Sequence, residues 1–277
     1  MARGADNLPG GGMRSGADGR IHAGREGGLA RIVIDNPAKR NALDLAMWEF
    51  AERALAELAE DPAVRLLEVS GTGGTSFAAG ADISRFAEER ATPAAVAHYA
   101  AITSSVYRRL AEFPRPTLAR ICGACMGGGL ALAACCDLRI ATQGSEFAIP
   151  AARLGLAYGV EAQARLSGLI GASATAELLI TARRIDAPEA LRLGFLHHVR
   201  PADTFSAFAD AYADQVVANA PLTLATVKAV RVALAAGELA QRRDALEGMV
   251  SACFASRDYA EGRAAFAERR KPGFEGN

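Results

Sequence analysis

The sequence predicts an α/β fold, on three observations. A strand, a helix and a second strand follow one another over residues 29–70. A glycine-rich turn at 123–129 leads from a short strand into a helix apolar on every side. From about residue 207 to the end the pattern is helical throughout. Alternation of strands and helices marks a βαβ-type unit joined by crossovers. The helical tail reads as a small subdomain or an oligomerisation element.

Each element has its own cause. Residues 29–34 (LARIVI) are strand-like and stop at the turn Asp35-Asn36-Pro37. From Asp44 to about Glu60, apolar residues stand at Trp48, Ala51, Leu55 and Leu58, steps of 3, 4 and 3 on one helix face. Asp61-Pro62 ends that helix, and residues 64–70 (VRLLEVS) give the next strand. Residues 84–112 read as helical with an interruption at Pro93, and Pro114 and Pro116 close the stretch. Short strands follow at 117–121 and 137–141, with the apolar helix LALAACC between them. That helix is expected to be buried. Tail helices are expected near 207–219, 221–236, 240–255 and 258–270.

Composition narrows the function. Lys plus Arg and Asp plus Glu both number 31 in a chain of 277 residues. This balance gives no reason to expect nucleic acid or a membrane surface as the main partner. No apolar run reaches the ~18 residues of a membrane span. Residues 1–20 are rich in Gly and Arg without an apolar stretch, so a disordered extension is expected and no secretory signal. The five cysteines, an odd number without a signal peptide, suggest free thiols in a reducing cytoplasm. Cys122-x-x-Cys125 has no second pair, and no His/Asp/Glu cluster has ligand spacing, so no metal is predicted. Gly71-Thr-Gly73-Gly74-Thr-Ser76 lacks the third glycine of a dinucleotide fingerprint.

Two segments carry the chemistry together. One is Phe77-Ala-Ala-Gly80-Ala81-Asp82-Ile83; the other is Gly127-Gly128-Gly129 at the mouth of the buried helix. Either alone reads equally as a packing turn. The first N–H groups of a helix, however, lack intrahelical partners and sit at the positive end of its dipole. Glycines let a ligand reach them, and a carbonyl becoming an enolate wants such preset donors, each worth about 3 kcal/mol. A second donor must come from elsewhere in the chain.

FAAGADI, followed about 45 residues on by GACMGGGLALAACCDLRIA, resembles the crotonase (enoyl-CoA hydratase/isomerase) superfamily. DNPAKRNAL at 35–43 is similar to the family's N-R-P-x-x-x-N-A-L segment, and ERRKPGF at 268–274 to its C-terminal ending. The resemblance implies a spiral of ββα repeats over 21–206, a helical trimerisation region over 207–277, and a trimer or dimer of trimers. It implies an acyl-CoA thioester substrate, with CoA as part of the substrate and no separate cofactor. It places the two oxyanion-hole donors at Ala81 and Gly128. It places CoA contacts at Lys39, Arg40, Ala79 and Ala81, with Arg270 or Lys271 adding phosphate charge, to this or a neighbouring subunit's ligand.

The pattern also breaks. The family's hydratases use two glutamates; Ala131 and Ala151 stand at those positions, which puts water addition by that route in doubt. Two candidates for proton transfer follow. Glu161 is either a carboxylate near the acyl group or a charge favoured in the first turn of the next helix. Tyr158 lies in an L-G-x-x-Y segment similar to that of methylmalonyl-CoA decarboxylases. It is either an acyl-group contact or a packed aromatic with its hydroxyl satisfied elsewhere. Asp82, His197 and His198 read as structural, His98 as a surface residue, and His22 as lying near a flexible terminus. Two other functions stay open: decarboxylation of a malonyl-type CoA, and acyl-CoA binding without catalysis.

Overall fold

The computed structural model describes residues 12–277. Three short antiparallel strands come first among the described residues: β1 (Arg14–Gly16), β2 (Ile21–Glu26) and β3 (Leu29–Ile34). The expectation of disorder over 1–20 is therefore corrected for its second half. Arg14–Gly16 pairs with Ile21–Ala23, and Ser15 Oγ meets His22 Nδ1 across the hairpin at 2.8 Å. His22 also reaches Asp35 at 3.1 Å, so it sits in a strand rather than beside a loose end. The first half of that expectation, residues 1–11, lies outside the described residues.

Asp44 starts α1 (Leu45–Glu60) by accepting a bond from Met47 N, the N-cap arrangement its side chain favours. Its buried face includes Trp48, Ala51, Leu55 and Leu58, the four residues whose spacing marks the helix. Then come β4 (Leu66–Gly71), β5 (Ser76–Ala78), the short α2 (Phe86–Glu89) and α3 (Pro93–Ala111). Pro93 begins α3 instead of interrupting a helix. It occupies the first helical position, where its missing N–H costs nothing, and Thr92 caps it. The next repeat is β6 (Thr117–Ile121), β7 (Ala124–Met126) and α4 (Gly128–Cys135); β8 (Leu138–Thr142) and β9 (Glu146–Ala148) start another, followed by α5 (Val160–Ile170) and α6 (Ala172–Thr181). β10 (Ile185–Asp186), α7 (Ala187–Arg192) and β11 (His198–Arg200) complete the core.

Successive repeats feed two sheets. A seven-stranded sheet runs β1-β2-β3-β4-β6-β8-β11, and a four-stranded sheet runs β10-β9-β7-β5. β4, β6 and β8 enter the first; β5, β7 and β9 enter the second. This is the predicted ββα spiral. Side chains alternate across the large sheet as strand geometry requires. Leu67, Val69, Ala119, Ile121 and Ala141 join the main core with α1, α3 and α4. Leu66, Leu118 and Ile140 face the other way, onto Phe205, Ala209 and Ala213. As expected, α4 is buried on nearly every side.

The helical tail contains α8 (Ala202–Val217), α9 (Pro221–Ala236), α10 (Arg243–Ala255) and α11 (Arg257–Glu268). α8 starts five residues before its expected position, directly after Pro201. Between α9, α10 and α11 lies an apolar groove of about 780 Å³, lined in part by Leu222, Val250, Phe254, Tyr259 and Phe266. Among the described residues no single helix is long and apolar enough to cross a membrane.

Candidate active site

β5 and β7 are parallel neighbours, so the loops beyond their C-terminal ends lie side by side. Those loops carry Gly80-Ala81 and Gly127-Gly128. Crevices at the carboxyl ends of parallel strands are the usual ligand sites of α/β sheets. The approach is close: a Cβ on Gly80 would stand 2.9 Å from Gly128 N and 3.0 Å from Met126 O, and Gly80 has φ +92°. Only glycine fits there.

Ala81 is bridged to Leu43 in parallel. Leu43 N donates to Gly80 O at 2.8 Å and Leu43 O accepts from Asp82 N at 2.9 Å. Backbone groups alternate sides along an extended segment, so Ala81's own N–H points away from Leu43. Gly128 opens α4, and its N–H has no partner within the helix. Neither N–H donates to a protein acceptor among the described residues.

The first loop is held from beneath. Asn41, fully buried at φ +57°, donates to Thr72 O and Ser76 O at 3.0 and 2.7 Å and accepts from Asn36 N at 2.9 Å. Arg40 O in turn accepts from Ala79 N at 3.0 Å. Asp82 accepts from Lys39 Nζ at 2.6 Å and from Ser84 Oγ at 2.6 Å. Burial pushes the Asp82 carboxyl up, but the Lys39 and Ser84 bonds outweigh it and hold the group below the usual carboxylate range.

Phenols flank the glycine turn. Tyr158 donates its hydroxyl to Gly127 O at 3.2 Å, and Tyr107 donates to Gly128 O at 3.3 Å. Trp48 packs its ring edge-on against Tyr107 at 5.6 Å and donates Nε1 to Tyr99 at 3.0 Å. Burial raises the pKa of Tyr107 and Tyr158 well above the ordinary phenol value, so both are neutral donors at neutral pH.

The enoyl-CoA hydratase/isomerase family profile matches residues 24–277. The chain belongs to that family. It is 33% identical over 256 residues to the crotonyl-CoA hydratase of Syntrophomonas wolfei, covering 90% of this chain and 95% of that protein. It is 34% identical over 271 residues to the human mitochondrial enoyl-CoA hydratase domain-containing protein 2, covering 93% and 89%. The crystal structure of an enoyl-CoA hydratase from Bacillus anthracis superposes with a TM-score of 0.87 at 26% identity, over 93% of this chain and all of that one (100%). This crotonase-superfamily chain is accordingly an acyl-CoA-metabolising enzyme of enoyl-CoA hydratase/isomerase type.

The residues singled out in the sequence do not all converge on the glycine turn. Ala79, Ala81, Gly128 and Tyr158 do. Lys39 and Arg40 are both exposed, and Lys39 is tied to the loop through Asp82. Ala131 is buried in α4 and Ala151 is partly buried in the turn Pro150–Leu154. Glu161 is exposed in the first turn of α5, the position a helix dipole favours for a carboxylate. Arg270 lies in the tail, its guanidinium held by Glu261 at 2.8 Å and Glu268 at 2.6 Å, and Lys271 beside it is exposed.

Other candidates fall into place around the site. His98 is exposed next to Glu49. His197 Nδ1 accepts from Arg139 N, and His198 packs on Phe208 and Tyr212, both structural roles. All five cysteines are free, and burial pushes the Cys135 thiol up to about 11. No three His, Cys, Asp or Glu side chains gather as metal ligands among the described residues. Sequence reasoning missed Tyr107, Trp48 and Asn41. Trp48 lies on a helix whose face is visible in the sequence and Tyr107 in a stretch read only as helical, but which helices meet at Gly128 is a property of the fold.

Proposed function

We propose that the chain binds an acyl-CoA thioester with its carbonyl oxygen between the N–H groups of Ala81 and Gly128, and stabilises the enolate formed there. The observation that carries this is the convergence of two backbone donors with no protein acceptor among the described residues. Such donors act without reorganising at the moment charge develops. Lys39, Arg40 and Ala79 bind the CoA portion, with Arg270 or Lys271 adding charge, and no cofactor beyond CoA takes part. The exposed Phe254 and Phe266 of the tail support assembly as a trimer or dimer of trimers.

Ala131 and Ala151 offer no carboxylate where the hydratases of the family place theirs, so proton transfer falls to Glu161 or Tyr158. A second reading follows from the neutral phenols. Decarboxylation of a malonyl-type CoA needs charge stabilisation more than a base: the breaking C–C bond passes its electron pair into the thioester enolate, CO₂ leaves, and a proton then adds to carbon. The neutral phenols of Tyr107 and Tyr158 beside the glycine turn do not repel the carboxylate of such a substrate.

Mass spectrometry of a mixed acyl-CoA panel separates the readings. Water gain on crotonyl-CoA, abolished in Glu161→Ala, supports hydration through that carboxylate; equal rates exclude Glu161. CO₂ loss from methylmalonyl-CoA supports the second reading. Binding without turnover across the panel leaves a non-catalytic acyl-CoA-binding protein.

A further inference from the structure

We infer that Tyr158 is a positioning residue that fixes the peptide unit supplying the Gly128 donor. This rests on the proposed role of Ala81 and Gly128 and deepens it. Gly127 O and Gly128 N belong to one peptide group. The carbonyl end of that group accepts two bonds, from Tyr158 Oη at 3.2 Å and from Ala131 N at 3.1 Å. Its N–H end is free to meet a ligand. The peptide has glycine on both sides, and Gly127 sits at φ +50° and ψ −115°, so no side chain resists its rotation. A flipped peptide turns the Gly128 N–H away and presents a carbonyl oxygen to the substrate's, which removes one donor and adds a repulsion. The two bonds at Gly127 O hold the group the right way round.

The same bonds strengthen the donor. A peptide whose oxygen accepts hydrogen bonds is more polarised, and its N–H is the better donor for it. Tyr158 is suited to this task because its proton stays in place: burial keeps the phenol from ionising. In this geometry the hydroxyl proton is committed to Gly127 O, so the bond to the turn competes with donation to the acyl group. Tyr107 makes the corresponding contact one peptide further on, at Gly128 O. That peptide does not contain the Gly128 N–H, which sets the two phenols apart.

The test is infrared difference spectroscopy of bound butyryl-CoA carrying ¹³C at the thioester carbonyl, a saturated thioester that cannot take up water. Wild type is expected to lower the carbonyl stretching frequency on binding, and Tyr158→Phe to lower it less. Tyr107→Phe is expected to retain more of the downshift than Tyr158→Phe. On whichever substrate the panel identifies, Tyr158→Phe is expected to lower kcat about 10-fold with little change in KM. That is a fraction of the ~10²–10³-fold that follows loss of a whole donor. A full wild-type downshift in Tyr158→Phe overturns the inference while leaving the two donors in place; if kcat has nonetheless fallen, Tyr158 acts as the proton donor instead. No downshift in wild type overturns the reading of Ala81 and Gly128 itself. A thermal midpoint near the wild-type value establishes that Tyr158→Phe is folded.

Discussion

Gly80 lies against Gly128 so closely that a single methyl group on the first would press on the amide nitrogen of the second. The two loops that carry the proposed donors are therefore set relative to each other by the absence of a side chain. Gly80→Ala is expected to spread the loops, because its φ of +92° is also strained for any L side chain. The expected result is at least a ~10²-fold loss of activity, comparable with loss of an oxyanion donor, alongside about 1–3 kcal/mol of destabilisation. Steady-state kinetics and urea unfolding on the same variant check both parts.

Asn41 is the second support. Asn41→Ala leaves the carbonyls of Thr72 and Ser76 and the N–H of Asn36 without their partner. It also keeps a positive φ that alanine tolerates poorly. A buried polar group left unpaired costs about 1–3 kcal/mol. The expected loss is at the upper end of that range, with a fall in CoA affinity as the loop bearing Lys39 loosens. Chemical denaturation and calorimetric binding of free CoA measure the two effects.

Lys228 ties the helical tail to the core. Its ammonium, buried on α9, lies 2.9 and 2.8 Å from the two oxygens of Asp137, which also accepts from Thr117 N at 2.8 Å. Lys228→Met leaves the Asp137 carboxylate with Arg231 as its remaining cation. Breaking a buried pair typically costs about 3–5 kcal/mol. The remaining Arg231 contact places the expected loss at the lower end, read as a shift in the urea midpoint.

Glu68 makes the stability depend on pH. It is buried between β3 and β6, 3.6 Å from Arg31 and 3.8 Å from Arg120, and one carboxylate oxygen has no hydrogen-bond partner among the described residues. Burial outweighs the two arginines and raises its pKa above the ordinary 4.5. The folded chain thus binds this proton more tightly than the unfolded chain does. Its contribution is most favourable below the unfolded pKa and is lost as pH rises through the raised folded value. Arg31 keeps Glu26 and Arg120 keeps Asp210 when the carboxylate is removed. Glu68→Gln is therefore expected to raise the thermal midpoint at neutral pH and to flatten its fall between pH 4.5 and neutrality. An unchanged pH profile contradicts this.

Local rules made much of this legible. The face of α1 follows from the spacing of its apolar residues, as does burial of α4 from its unbroken apolar run. Ala81 and Gly128 follow from the resemblance of the two segments that carry them, since either segment alone reads equally as a packing turn. The strand Arg14–Gly16 was not legible, because a Gly- and Arg-rich stretch has little of its own to bury. It is ordered through pairing with β2 and the Ser15–His22 contact. Pro93 was read as a break, since a proline inside a polar-apolar mixture does not reveal that Thr92 caps a new helix. Tyr107 was invisible as a site residue for a different reason. Its contact with Gly128 joins α3 to α4, and no pattern within α3 encodes that meeting.

The central claim is that Ala81 N–H and Gly128 N–H together hold the thioester oxygen. A crystal structure of the chain with butyryl-CoA tests it most directly. The account predicts the thioester oxygen at about 2.7–3.1 Å from both nitrogens, the range of a working oxyanion hole. An acyl group whose carbonyl oxygen lies outside bonding distance of either nitrogen would contradict it.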